Sequence, residues 1–209
     1  GGQIYREQAQ INIPYVTITA PADDPATITW YYGIGNTYYS LGQNGRYDKD
    51  RAMTKSDKLM GVNPASWGST VLTNQDGIRM ENVKIENSFN QYYTDEEFAD
   101  GAEPNGAEQC GQMNRAELKA SGIKADSTTA TERAAALYSQ GKNCEFYNCT
   151  VISSQDTIGT GGSMYFKDCT LVGNTDYICA GGNCVFDNCD LLFGGYSDTA
   201  KGGALTAAH

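Results

Sequence analysis

Three stretches, written one above another, decide how this chain folds: "FYNCTVISSQDTI" (146–158), "YFKDCTLVGNTDYI" (165–178) and "VFDNCDLLFGGY" (185–196). Phe146, Phe166 and Phe186 are spaced by twenty residues, as are Cys149, Cys169 and Cys189, and Val151, Leu171 and Leu191. The residue before each cysteine is Asn148, Asp168 or Asn188. Each copy holds a short alternating strand followed by polar or glycine-rich turn residues. A unit this short cannot bury an apolar face alone, so the copies must stack on one another. This period, with strands and no helical pattern between them, predicts a parallel β-helix. Leucine-rich repeats share the period, but their Leu-x-x-Leu-x-Leu signature is missing.

The pattern extends upstream. "RMENVKIEN" (79–87) places Met80, Val83 and Ile85 at the phenylalanine, cysteine and valine/leucine positions, and "QINIPYVTITA" and "ATITWYYG" read as further strands. The stretches from Gly33 to Trp67 and from Asn90 to Glu132 break the period and carry tyrosines and charges. Insertions in a solenoid project from one face as loops, often the binding face. A helical turn is expected within "AELKASGIKA". Composition agrees with a turn-rich β protein: of 209 residues, 24 are glycine, 14 tyrosine and 5 proline.

The formal charge of −10 argues against a nucleic-acid partner, since no basic surface is available to neutralise phosphates. No apolar run approaches a membrane span. The chain shows no signal-peptide pattern and opens on "GGQIYREQ", which reads as a protein already under way, so a truncated or processed product is expected. Its seven cysteines, Cys110, Cys144, Cys149, Cys169, Cys179, Cys184 and Cys189, form no C-x-x-C pair, and the odd number precludes complete pairing. They are read as free, buried small hydrophobes. "GTGG" (159–162) is read as a turn, "DKD" (48–50) as a solvated loop, and the sequon "NCT" (148–150) as part of a stacked polar ladder.

Asp156 in "SSQDTI" and Asp176 in "GNTDYI" are also twenty residues apart. Adjacent parallel strands lie roughly 4.8 Å apart, so residues one full turn apart sit side by side. Two carboxylates that close repel each other and lose their protons in separate steps, as an acid paired with a nucleophile requires. Gln155 supplies amide donors beside them. The alternative is a solvated acidic pair at turn ends. The single histidine, His209, is the last residue, so a histidine-based triad is discounted and any hydrolysis falls to carboxylates.

At these residues the chain resembles the pectin methylesterase (pectinesterase) family. The resemblance runs through "GGQIYREQ", "ADDPATITW", "GSTVLTNQDGIRMENVKIENSF", "ERAAALYSQGKNCEFYNC", "SQDTI" and "GNTDYI", with gaps at the two long loops. It implies an all-β fold, a right-handed single-stranded parallel β-helix with long loops on one face, and removal of methyl esters from homogalacturonan. Residues 1–209 are then one such domain, incomplete at both ends. By family role Asp176 is the nucleophile, Asp156 the acid/base and Gln155 the oxyanion holder. Ser88 lies where the family has a substrate-contacting threonine, and Tyr177 replaces a cleft-lining phenylalanine.

Three departures stand against the resemblance. Arg133 occupies a position usually held by a glutamine that contacts substrate or oxyanion. Cys179-Ala180 replaces the usual "FG". The family's "GRPW", whose arginine and tryptophan orient nucleophile and sugar, lies beyond His209, so the 209-residue chain by itself is expected to be a poor esterase. The resemblance implies no cofactor or metal, pectin as partner, a missing C-terminal segment that completes the fold, and secretion. Two other readings stay open on the same scaffold: a polygalacturonase-type glycosidase, since closely spaced carboxylates support retaining hydrolysis, and a non-catalytic pectin-binding module.

Overall fold

Short alternating segments such as "VKIEN", "SMYFK" and "TLVG" become strands because one side of each is apolar and its neighbours in sequence are turn residues. The computed structural model describes residues 1–33, 69–89, 91–92, 94–95, 134–194 and 203–208, with the backbone of four two-residue strands at 37–38, 60–61, 108–109 and 112–113. Its main strands form three parallel sheets. The first stacks Ile4–Arg6, Ala26–Trp30, Val83–Asn87, Thr150–Ile152, Thr170–Gly173 and Asp190–Phe193. The second stacks Ala9–Ile11, Val71–Thr73, Leu137–Ser139, Ile158–Thr160, Ile178–Ala180 and Thr206–Ala208. The third stacks Thr17–Thr19, Arg79–Glu81, Cys144–Tyr147, Ser163–Lys167 and Asn183–Asp187. The chain visits the sheets in that order and begins again one level on, which makes it a parallel β-helix.

The core consists of columns that run from turn to turn. Met80, Phe146, Phe166 and Phe186 are register partners in the third sheet. The rings of Phe146 and Phe166 stack at 4.7 Å and those of Phe166 and Phe186 at 5.2 Å. Ile28, Ile85, Val151, Leu171 and Leu191 form the matching column of the first sheet, and Val71, Leu137, Ile158 and Ile178 that of the second. Cys149 and Cys169 are buried beside the phenylalanines, and the Cys169 thiol donates to the Phe146 carbonyl. The six described cysteines are all free; Cys110 lies outside the described residues.

The three corners differ in chemistry. Between the third and first sheets, Asn82, Asn148, Asp168 and Asn188 all take the left-handed conformation that short polar side chains tolerate. Asn148 donates to Asn82 at 2.7 Å and Asn188 to Asp168 at 2.6 Å, so the sequon asparagine is a rung of a polar ladder. Between the second and third sheets the backbones of successive turns nearly touch. A Cβ on Gly162 would lie 2.0 Å from the Gly141 carbonyl oxygen, and one on Gly182 2.0 Å from that of Gly162. "GTGG" is accordingly a tight turn, closed by the Gly162 amide donating to the Thr160 hydroxyl at 3.1 Å.

The remaining corner, between the first and second sheets, receives both long insertions. The first departs after Trp30 and returns before Val71; the second departs after Asn87 and returns before Leu137. Inside them are two small antiparallel pairs, Thr37–Tyr38 with Met60–Gly61 and Glu108–Gln109 with Gln112–Met113. The expected helical turn in "AELKASGIKA" and the "DKD" loop lie outside the described residues.

Candidate active site

The corner that carries the insertions also carries the aspartates. After the strand Thr150–Ile152 the chain turns through Ser153, Ser154, Gln155 and Asp156; one level on, after the strand Thr170–Gly173, it turns through Asn174, Thr175 and Asp176. Gln155 and Thr175 form a parallel bridge, and the Asp156 amide donates to the Thr175 carbonyl at 3.2 Å. The ladder then continues with Ile158 opposite Ile178. Asp156 and Asp176 are therefore partners in register on adjacent turns, about one strand spacing of 4.8 Å apart at the backbone. Both have positive φ, 56° and 48°, so the two turns share one shape and present their carboxylates in the same phase.

The surroundings of the pair are unequal. Asp156 is only 4% exposed, whereas Asp176 and Gln155 are half-buried. Below Asp156, the position in register is Ala135, since the Ala134 amide donates to the Gln155 carbonyl at 3.1 Å and the Ala136 amide to that of Thr157 at 2.8 Å. Gln155 thus rests on the Ala134–Ala135 segment, where the second insertion rejoins the solenoid. The Ser153 hydroxyl ties the same segment by donating to the Ala134 carbonyl.

Ser88 and Tyr177 are fully enclosed. The Ser88 hydroxyl donates to the Trp30 carbonyl at 3.1 Å. Tyr177 leans into the space left by Gly173, and its ring meets Phe193 edge-on at 5.7 Å. Burial pushes its hydroxyl above the usual tyrosine range. Neither side chain has free surface in this structure, so both belong to the wall behind the corner. Arg133 and His209 lie outside the described residues.

Two further residues of the corner escape a reading by repeats. Asn174, next but one to Asp176, is buried with an amide that makes no hydrogen bond among the described residues. Asn87 is buried and fully bonded to the strand ends around it. Neither has a like residue one turn away: Asn174 stacks on Ser154, and Asn87 on Ser153. The available signal was a polar amide closing an apolar strand, "VKIEN", at the point where the period breaks.

The Pectinesterase family model matches residues 112–207. No curated protein matches the chain. Among solved structures, a pectin methylesterase in complex with a hexasaccharide has a TM-score of 0.64 at 21% identity, covering 98% of this chain and 49% of its own. The pectin methylesterase PemA of Erwinia chrysanthemi gives 0.62 at 21% identity, with the same coverage. The Yersinia enterocolitica pectin methylesterase gives 0.60 at 22%, covering 93% of this chain and 49% of its own. The present chain spans about half the length of these proteins. It has the parallel β-helix fold of the pectin methylesterases, and its residues 112–207 match the Pectinesterase family.

Proposed function

We propose that this protein hydrolyses the methyl esters of homogalacturonan, with Asp176 as nucleophile and Asp156 as acid and base. The observation that carries the reading is the register of the two aspartates on adjacent turns, at the corner from which both insertions project. Asp176, the more open of the two, suits the group that meets the ester, and Asp156, set deeper beside it, the group that moves the proton. Asp176 adds to the ester carbonyl carbon, and the Gln155 amide stabilises the oxyanion that forms. As the C–O bond to the methoxy group breaks, Asp156 delivers its proton and methanol leaves. Asp156, now a carboxylate, takes a proton from water, which attacks the acyl-enzyme and frees Asp176.

Arg133, adjoining Ala134, is proposed to contact the substrate where a glutamine is usual; its guanidinium is a donor with a fixed charge that suits the carboxylates of partly de-esterified pectin. Ser88 and Tyr177 act from within the wall by holding its shape. The substrate is a wall polysaccharide, so the proposal places the protein outside the cell. Methanol and new reducing ends, measured together on methyl-esterified homogalacturonan with the full natural chain, test the reaction class. Methanol without new reducing ends is expected. New reducing ends would make the protein a glycosidase, and pectin binding with neither product would make it a binding module.

A further inference from the structure

Asn87 closes the last insertion-bearing turn before the aspartates, and its side chain is completely buried. The Nδ2 group donates to the Tyr32 carbonyl at 2.8 Å and to the Ala135 carbonyl at 2.9 Å. Its Oδ1 accepts from the Phe89 amide at 3.0 Å. One amide thus spans three strand ends: the exit of the first insertion, the exit of the second, and the return of the second. The same exits are packed tightly, since a Cβ on Gly33 would lie 2.6 Å from the Phe89 ring. Ala135 belongs to the segment on which Gln155 sits, through the bond from the Ala134 amide to the Gln155 carbonyl. Ser153 holds Ala134 from the other side.

We propose that Asn87 is a positioning residue for Gln155: it fixes the Ala134–Ala135 segment and so the place of the oxyanion donor, and it locks both insertions to that place. This rests on the role of Gln155 proposed above. The geometry requires an amide. Two carbonyls must accept a hydrogen bond and one backbone N–H must donate one, and of the small side chains only asparagine supplies two donors and an acceptor in this reach. Asparagine is not needed here for the solenoid as such, because the equivalent positions on the next two turns are Ser153 and Gly173. A donor misplaced by about 1 Å can lower turnover by up to about a hundredfold while substrate binding persists.

The test uses methanol release and pectin affinity on the full natural chain. Asn87→Ala is expected to lower kcat about tenfold to a hundredfold with little change in pectin Kd. Asn87→Ala placed on Gln155→Ala should add less than about twofold, because residues acting through one donor are not additive. Asn148→Ala, in the ladder at another corner, should leave kcat unchanged. Where Asn87→Ala does not fold, Ser153→Ala tests the same segment with a smaller change and should show the same non-additivity. Full turnover in Asn87→Ala, or losses that simply multiply with Gln155→Ala, would overturn the proposal. If Gln155→Ala itself turns over normally, the reading of the site fails first; if only Asn87→Ala does, the site stands and this inference falls.

Discussion

Asp156 and Asp176 were legible in the sequence because the turns that carry them have no insertion. The period of the phenylalanine and cysteine columns passes through them undisturbed, and side-chain phase follows from backbone register. What the sequence could not give was depth. Ser88 and Tyr177 occupy positions a family comparison assigns to the substrate face, yet each is enclosed, one on the Trp30 carbonyl and one against Phe193. Whether a corner residue points out or in depends on its φ and on the size of the residues packed around it. Tyr177 turns inward because Gly173 leaves room for it. At this scale Gln155→Ala is expected to cost on the order of a hundredfold in kcat while pectin affinity stays nearly intact, as for a donor used mainly in the transition state. Asp156→Asn should slow both ester cleavage and the second step, since each needs a proton moved; single-turnover methanol release and steady-state turnover separate the two.

Among the elements, the columns set stability. Phe166 is completely buried between two stacked rings, so Phe166→Ala should cost about 3–5 kcal/mol in chemical unfolding, more than a truncation at the half-buried Phe186. The second insertion is fastened at its start by Tyr92, whose hydroxyl donates to the buried Glu86 at 2.7 Å, while Lys84 and Thr29 also reach that carboxylate. Desolvation, and then this bond to Glu86, push the Tyr92 hydroxyl up to about 12. Its folded value lies above the ordinary 10.0, so the stability it contributes is present below pH 10 and is lost as pH rises through about 12. Tyr92→Phe should flatten that alkaline decline, read as melting temperature across the same range. None of this was legible beforehand, because Glu86 reads as an ordinary outward residue of an alternating strand until a tyrosine from the insertion covers it.

Taken whole, the molecule is a solenoid whose repeats supply rigidity and whose one irregular corner carries the proposed chemistry. The stacked parallel solenoid was legible from the twenty-residue period but its three strands per turn were not, and the common corner for the insertions was foreseen only as a common face. Repeats show that a loop leaves the stack, but its corner is fixed by which strand precedes it, and the strands at 71–73 and 137–139 lie past the break in the pattern. Val151 and Leu171 are fully buried on adjacent turns, so amide hydrogen exchange should be slowest around 144–152 and 163–173. The central claim is that Asp176, brought beside Asp156 by one turn of this solenoid, attacks a methyl ester. Methanol release from methyl-esterified homogalacturonan by the full natural chain carrying Asp176→Asn tests it most directly. The account predicts loss of turnover with the fold and pectin affinity retained, because an amide cannot serve as the attacking carboxylate; near-normal methanol release by that variant would contradict it.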